Sequence, residues 1–220
     1  KPVGIITWRG VYVDDATNFN LGHAPAPGEF IPDADFGSGG NQPAIYGVNA
    51  FSTINAGIAA IAPAAGNPVI VNAGSYAEAV DLNKAATVKL TEAPGITTTS
   101  FASAAGSTID THGQTLITGD DSTRTIAGTI TGAGNLTKQG SGLLILSGSN
   151  DYAGLTSVTA GQLRISQPTA LGTADGGTVV ADGARLELSG GITVAGEVVT
   201  ISGNGGNYFG ALQSQSGANT

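Results

Sequence analysis

Apolar and polar residues alternate with a period of two beyond Gly66, and Gly-containing turns separate the alternating segments. Successive side chains of an extended strand point to opposite faces, so apolar residues two apart share one face. Such pairs recur as Val69/Val71, Val80/Leu82, Val88/Leu90, Leu144/Leu146, Leu163/Ile165, Leu186/Leu188, Ile192/Val194 and Val199/Ile201. The pattern predicts many short strands, each with one apolar face.

The apolar positions also recur at a longer interval. Val69 to Val88 spans 19 residues, Val88 to Ile109 spans 21, Leu144 to Leu163 spans 19 and Leu163 to Leu186 spans 23. Repeats of this size cannot bury a core alone, so they indicate a solenoid of stacked coils. Leucine-rich horseshoes share the period, but their Asn ladder and Leu-rich consensus are not visible here. Coils of parallel β-strands fit better.

One segment has a helical period instead, with Phe51, Ile54, Ile58 and Ile61 spaced three or four residues apart. This spacing predicts a helix over 51–62 whose apolar face closes the end of the core. We expect Ser52 or Asn49 as its N-cap and Pro63 as its end.

The segment before this helix differs in composition. A strand-like apolar run extends from Val3 to Val13 and contains the only Trp, and a Pro- and Gly-rich stretch follows over 24–40. Pro and Gly interrupt regular structure, so this stretch should be irregular. We therefore predict a head over 1–49 and an all-β parallel β-helix over 50–220.

Composition supports an ordered but unusual fold. The chain has 220 residues with 35 Gly and only 11% charged residues, whereas average domains have about 7% Gly and about 25% charged residues. Gly-rich chains are often disordered, but 40% hydrophobic residues and a mean hydropathy of +0.14 argue against disorder.

Charge and residue usage exclude several classes of function. The net charge is -8, and the eight Lys and Arg are scattered, so neither nucleic acid nor an anionic membrane surface is an expected partner. The absence of Cys excludes disulfides and thiolate metal sites. The sequence contains no run of about 18 apolar residues, so no transmembrane segment is expected.

Residues 50–90 resemble the opening of pectin-lyase-like β-helix proteins, in which a helix precedes a strand and an Ala-Gly-x-Tyr-x-Glu segment. Gly74, Tyr76 and Glu78 match that segment. The resemblance implies a right-handed parallel β-helix whose hydrophobic end is capped by the N-terminal helix.

Residues 128–172 resemble the passenger-associated repeat of autotransporters. The match runs from Gly132 to Gly154, with Leu143 in place of the usual Thr, and continues through Thr156, Val158, Ala160-Gly161, Leu163 and Ala170-Leu171-Gly172. Residues 198–219 are similar to the linking coil that follows such a repeat. The resemblance implies a secreted or surface-exposed bacterial stalk, without implying an activity.

Polysaccharide-active β-helix enzymes are the main alternative. Glycosidases need two carboxylates at a set separation, and lyases need Ca²⁺ with a basic residue. Most carboxylates of the repeat region stand beside Gly or Ser, which is typical of turns; they are Asp81, Asp110, Asp120, Asp121, Asp151, Asp175, Asp182, Glu187 and Glu197. We therefore predict no catalytic, cofactor-binding or metal-binding residue.

Several smaller patterns can also be explained without a functional site. Asp110 and His112 would share a face of a strand, but no third catalytic group accompanies them, and His23 has no evident partner. Asp14-Asp15 and the pair Asp33/Asp35 lack the spacing of a Ca²⁺ loop. Asn135-Leu136-Thr137 is a glycosylation sequon, although Leu136 belongs to the predicted core.

An aromatic group in the head leaves two possibilities open. Trp8, Tyr12 and Phe19 could form a platform for sugars, or they could pack the head against the capping helix. Exposed coplanar aromatics would favour a carbohydrate-binding module; the second arrangement is the one we expect.

The sequence thus favours a non-catalytic bacterial adhesin or fibre subunit, extracellular or on the cell surface, that needs no cofactor. Its partners would be a host or neighbouring cell surface, a polysaccharide, or further copies in a head-to-tail fibre. We also expect Thr220 not to be the natural end of the rod, because the segment after Val199/Ile201 carries no cap.

Overall fold

The structure is a computed structural model that describes residues 10–14, 19, 21, 23–34, 43–61, 66–205 and 210–220. These residues form a parallel β-solenoid of about six turns with one short helix. The predicted parallel β-helix class is therefore confirmed.

Six short parallel strands form the first sheet: β1 (Val11–Val13), β4 (Ala50–Phe51), β5 (Val69–Val71), β7 (Thr87–Leu90), β9 (Thr108–Asp110) and β12 (Thr129–Thr131). Their order is β12-β9-β7-β5-β1-β4. Val69 pairs with Val88, and Val88 pairs with Ile109. The spacing of apolar residues therefore predicted the correct register. Strand β1 lies inside this sheet, and the boundary between residues 49 and 50 stays a prediction.

Twelve strands form the second parallel sheet: β6 (Gly74–Leu82), β8 (Gly95–Ser103), β10 (Thr115–Thr118), β11 (Arg124–Ile126), β13 (Leu136–Lys138), β14 (Leu143–Leu146), β15 (Thr156–Val158), β16 (Gln162–Ile165), β17 (Thr178–Val180), β18 (Arg185–Ser189), β19 (Val199–Ile201) and β20 (Leu212–Ser216). The first half of β8 pairs with β10, and its last residue, Ser103, pairs with Ile126 of β11.

Strand β8 is therefore a branch point, after which each coil contributes two strands separated by a corner. One row of strands runs β10-β13-β15-β17-β19, and the other runs β11-β14-β16-β18-β20. Leu144 pairs with Leu163, and Leu163 pairs with Leu186, as their spacing predicted. The inward side chains of both rows and of the first sheet form one continuous apolar core.

Two of the predicted apolar pairs depart from the expected pattern near the end of the second sheet. Ile192 and Val194 lie outside any strand, because their backbone pairs instead with the irregular segment at Thr220. Val199 and Ile201 do belong to β19, but Ile201 is 40% exposed. Alternation of apolar and polar residues therefore predicts strands well only in coils that are followed by another complete coil.

The helix α1 (Ile54–Ala60) is shorter than the predicted span of 51–62. Phe51 belongs to β4 and pairs with Val13, so the helix cannot begin there. Thr53 is the N-cap, and its hydroxyl accepts a hydrogen bond from the backbone N–H of Ala56 at 3.2 Å. The N-cap prediction of Ser52 or Asn49 is therefore wrong. Ile61 is the C-cap, and Pro63 lies outside the described residues.

The helix packs directly onto the first sheet. Ile54, Ile58 and the C-cap Ile61 are buried in the solenoid core. A Cβ atom added to Gly57 would lie 2.7 Å from Cγ2 of Val13, so glycine is needed for this close approach. The apolar face of the predicted helix is therefore correct, although its ends are not.

An antiparallel hairpin of β2 (Phe30–Ile31) and β3 (Ala44–Ile45) belongs to the head. Its buried side chains join a second apolar cluster that contains Tyr12 and Ile70, from the outer side of β1 and β5. The described part of the head thus packs on the outer side of the first sheet. Tyr12 and Phe19 therefore pack in this second cluster and not against the helix as expected, whereas Val11 and Val13, on the inner side of β1, share the main core with the helix.

Candidate functional site

The predicted acid–His pair forms a turn. The Oδ1 atom of Asp110 accepts a hydrogen bond of 2.9 Å from the backbone N–H of His112. His112 has φ of 47°, so the chain turns sharply at the end of β9 and the imidazole is exposed. The carboxylate thus bonds to backbone and not to the imidazole, which is the geometry of an Asx turn.

The described acidic residues of the head are buried or half-buried. Asp14 is buried, whereas Asp33 is half-buried; Asp15 and Asp35 lie outside the described residues. His23, expected to have no partner, places Nε2 at 3.4 Å from Oε1 of Glu29. Within the described ranges, no group of three or more His, Asp or Glu residues is arranged to hold a metal ion.

Tyr12 and Phe19 do not form an exposed platform for sugars. Tyr12 and Phe19 are 2% and 1% exposed, and the rings of Phe19 and Tyr46 pack edge to face at 6.1 Å. Trp8 lies outside the described residues. These rings form part of the small core between the head and the first sheet.

Two of the three residues that match the Gly-x-Tyr-x-Glu segment, Tyr76 and Glu78, tie the first coil together. The hydroxyl of Tyr76 donates to the backbone oxygen of Asn72 at 2.9 Å. The carboxylate of Glu78 accepts from the backbone N–H groups of Ile54 and Asn55 at 2.5 and 3.1 Å. A carboxylate at a helix N-terminus is favourable because it satisfies free N–H donors and opposes the helix dipole. Glu78 therefore fixes α1 to strand β6.

Asn135 of the sequon lies between neighbouring coils. Its Oδ1 atom accepts from the backbone N–H of Leu155 at 2.9 Å, and its Nδ2 atom donates to Oγ1 of Thr115 at 3.3 Å. Leu136 is buried in the core, as predicted. The side-chain amide of Asn135 thus links three successive coils through these two hydrogen bonds.

Lys138 is an inward-facing cation that the sequence analysis did not single out. The residue is 1% exposed, and its Nζ donates to the backbone oxygens of Gln139, Gly140 and Ala160 at 2.7, 2.8 and 3.1 Å. All three donors of the ammonium group are thereby satisfied. Burial lowers the pKa of Lys138 to about 8, against a smaller raising effect of Asp120. The alternation of β13 would have located this inward lysine.

A second charged group lies on the outer side of the row β16-β18-β20. Oε2 of Glu187 accepts from Arg164 at 2.8 Å, and Oε1 accepts from Arg185 at 3.1 Å. Arg185 also donates to Gln213 at 3.1 Å. Glu187 is 2% exposed, so this network ties three coils together. Arg164 and Glu187 have the same 23-residue separation as Leu163 and Leu186, and that spacing could have revealed the pair.

The row β10-β13-β15-β17-β19 presents an outer face without a charged side chain, which we call the uncharged face. The Lys138 side chain in this row points inward. Outward positions hold Thr, Ser, Asn, Gly and aliphatic residues, among them Thr137, Ser157, Val179 and Thr200. The neighbouring rows carry outward Lys89, Asp110, Arg164 and Glu187.

Two recesses of about 280 Å³ open on the outer side of this part of the second sheet. Gly95 lines the first recess and Gly177 lines the second. The second recess lies between Leu155 and Val198, which are 37% and 67% exposed, and the exposed Asp175 also lines it. Absence of a side chain at Gly177 creates the space.

These stacked coils and side-chain ladders define the chain as a repetitive parallel β-solenoid. Residues 136–165 match the family described as the passenger-associated-transport-repeat. The chain therefore carries an autotransporter passenger repeat, as the resemblance of residues 128–172 indicated.

A curated relative supports the same assignment. Over 84 residues, or 38% of this chain, the sequence is 43% identical to the adhesin BmaC autotransporter of Brucella suis biovar 1 (strain 1330). The matched region covers 2% of that protein. No solved structure matches the chain.

The repeat and the relative indicate an extracellular or cell-surface location. In the part of the chain that the structure describes, no helix is both long and apolar enough to span a bilayer.

Proposed function

We propose that this chain is a non-catalytic structural and adhesive segment of a surface or secreted protein. Residues 50–220, together with strand β1, form a rod that carries a binding surface. The similarity of 84 residues to an autotransporter adhesin is the observation that carries this proposal. The proposal applies to this chain the adhesive role that the name of the relative states.

The fold supports a scaffold function. Each coil is bonded to its neighbours through parallel ladders, and side chains such as Asn135, Lys138 and Glu187 add contacts between coils. Outward residues such as Thr137, Ser157 and Thr200 do not belong to either apolar core, so they can vary without loss of the fold. A rod of this kind presents side chains along its length at intervals of about 4.8 Å.

Adhesion can be tested with polystyrene beads that carry the purified chain through an added C-terminal tag. We expect these beads to remain on an epithelial cell monolayer under flow in larger numbers than albumin-coated beads. An excess of soluble chain should compete and release them. Retention equal to that of albumin beads, or retention that soluble chain leaves unchanged, would contradict an adhesive role.

The enzyme alternative has a separate test. We expect no release of unsaturated oligosaccharides from pectin in the presence of Ca²⁺, followed by absorbance at the wavelength of the new double bond. We expect no new reducing ends either. Product formation that persists in repeated preparations and depends on protein concentration would establish a polysaccharide-active enzyme.

A head-to-tail fibre would form if the strand-like run Val3–Val13 of one copy added to the open end of the next copy. Strand β1 is paired with both β4 and β5 of its own chain, so Val11–Val13 cannot add to a neighbouring molecule without unfolding the first sheet. Only residues 1–9, outside the described residues, remain candidates for this strand addition. Fibres that persist after deletion of 1–9 would exclude this route.

A further inference from the structure

The chain between strands β19 and β20 begins with the sequence Ser202-Gly203-Asn204-Gly205. Asn204 is exposed, and the chain bends there. Among the described residues, no hydrogen bond holds its side-chain amide. Asn204 is also the only asparagine in the sequence that glycine follows. The backbone nitrogen of a glycine can approach the preceding carboxamide closely, because glycine has no side chain to obstruct it.

Gly205 cannot be exchanged for a bulkier residue at this corner. It is buried, and its φ of 69° lies in the left-handed region that favours glycine. A Cβ atom added to Gly205 would lie 2.4 Å from the backbone carbonyl carbon of Gly210. The close return of the chain therefore requires glycine after Asn204, and it keeps a reactive Asn-Gly pair at the surface.

We infer that Asn204 is a site of spontaneous deamidation in the folded chain. The backbone nitrogen of Gly205 attacks Cγ of Asn204, so that an N–Cγ bond forms and the Cγ–Nδ2 bond breaks. Nδ2 leaves as ammonia, with the proton that the backbone nitrogen loses, and a five-membered succinimide ring remains. Water then opens the ring at either carbonyl and yields an aspartyl or an isoaspartyl linkage at position 204. The reaction needs no co-reactant besides water.

The product places a second negative charge beside an existing one. A Cβ atom added to Gly203 would lie 1.7 Å from Oδ1 of Asp182, so the carboxylate of Asp182 lies against this corner. Asp182 belongs to the preceding coil, because Val180 pairs with Ile201. Like charges on neighbouring strands repel each other, and an isoaspartyl linkage also adds one atom to the backbone. Deamidation should therefore loosen the coil that contains β19 and β20.

Incubation of the purified chain in mildly alkaline buffer for several weeks, followed by peptide mass mapping, tests this reaction. The matched internal control is Asn83, which is also exposed but precedes Lys84. We expect Asn204 to convert roughly tenfold faster than Asn83 or more, because the side chain of Lys84 obstructs the attack on the carboxamide. Both aspartyl and isoaspartyl peptides should form, and an isoaspartyl methyltransferase should label the isoaspartyl product.

The variant Asn204→Gln separates this site from the other amides of the chain. Its carboxamide is one methylene further from the backbone, so cyclisation needs a six-membered ring and is much slower. Isoelectric focusing should show a gain of negative charge with time in the unchanged chain and a much smaller gain in Asn204→Gln. Amide hydrogen exchange of β20 should become faster in the aged unchanged chain and stay constant in the aged variant.

Equal rates of conversion at Asn204 and Asn83 overturn the inference. It is also overturned if Asn204 stays intact in the folded chain but deamidates in the urea-unfolded chain, because the folded corner would then protect it. Unchanged hydrogen exchange of β20 after full conversion would contradict the loosening of the last coil. None of these outcomes depends on adhesion to cells.

Discussion

Lys138 shows how one inward cation can be accommodated in a thin core. Three backbone oxygens surround its ammonium group, yet burial still lowers its pKa from 10.5 to about 8. The charged form of this side chain is therefore less favourable in the folded chain than in the unfolded chain. This difference links the stability of the fold to pH.

The direction of that dependence follows from proton binding. Between pH 8 and 10.5 the unfolded chain binds more protons at Lys138 than the folded chain, so the contribution of Lys138 to stability rises with pH. We expect the melting temperature to rise across this window relative to a Lys138→Met variant. Lys89→Met serves as the control for loss of one cation. The prediction would be contradicted if the melting temperatures of the unchanged chain and of Lys138→Met differed by the same amount at every pH from 8 to 10.5.

Glu78 is the second residue with a specific structural task. Its carboxylate receives two N–H groups at the start of α1, and the neutral Glu78→Gln side chain loses the charge that strengthens these bonds. We expect this change to lower the free energy of unfolding by about 0.5–2 kcal/mol in urea denaturation. Asp81→Asn, an exposed change in the same strand, should cost less. Equal losses of unfolding free energy for Glu78→Gln and Asp81→Asn would mean that the charge of Glu78 does not stabilise the start of α1.

At the scale of elements, α1 closes the core next to β1 and β5. Ile58 is 3% exposed and lies in the main apolar cluster. Ile58→Asp should bury an unpaired charge and cost several kcal/mol, measured by urea denaturation. Ala59→Asp changes the next residue, which is exposed, and should cost about 1 kcal/mol or less. If both variants unfold like the unchanged chain, the helix does not close the core.

The ends of this helix illustrate what the sequence could not reveal. The apolar spacing located the buried face correctly, since that spacing reflects packing. Phe51 fits the same period, but it lies in β4 because pairing with Val13 competes with helix formation. That competition depends on a contact 38 residues away in the chain, which no local pattern contains.

At the scale of the whole molecule, backbone-to-backbone contact between coils depends on glycine. A Cβ atom at Gly154 would lie 2.1 Å from the backbone oxygen of Gly134 and 2.6 Å from Oδ1 of Asn135. Gly154→Ala should therefore force the coils apart. We expect a larger loss of stability than for Gly113→Ala, where no atom lies within 4 Å and the cost is the left-handed backbone, about 1–2 kcal/mol.

Thermal unfolding of the two glycine variants measures this difference. A smaller loss of thermal stability for Gly154→Ala than for Gly113→Ala would contradict this prediction. It would mean that adjacent coils move apart at little cost, so the short distance between their backbones does not require glycine.

The register of the solenoid was the most predictable large feature. Four intervals between apolar residues gave four pairs of register partners, because inward side chains of adjacent coils must stack. The uncharged face could not be identified in the same way. Its recess at Gly177 and its exposed Leu155 depend on which glycines face outward, and glycine is common at corners as well.

Register is conserved even though coil length is not. Leu144 and Leu163 are 19 residues apart, Leu163 and Leu186 are 23 apart, and both pairs are aligned. The additional residues lie in the corners between strands, which therefore absorb insertions and deletions without displacing the core. A foreign peptide placed at the corner between Asp182 and Gly183 would leave the stack undisturbed. The same rod could thus display unrelated epitopes at chosen heights, and loops at these corners can diverge rapidly during evolution.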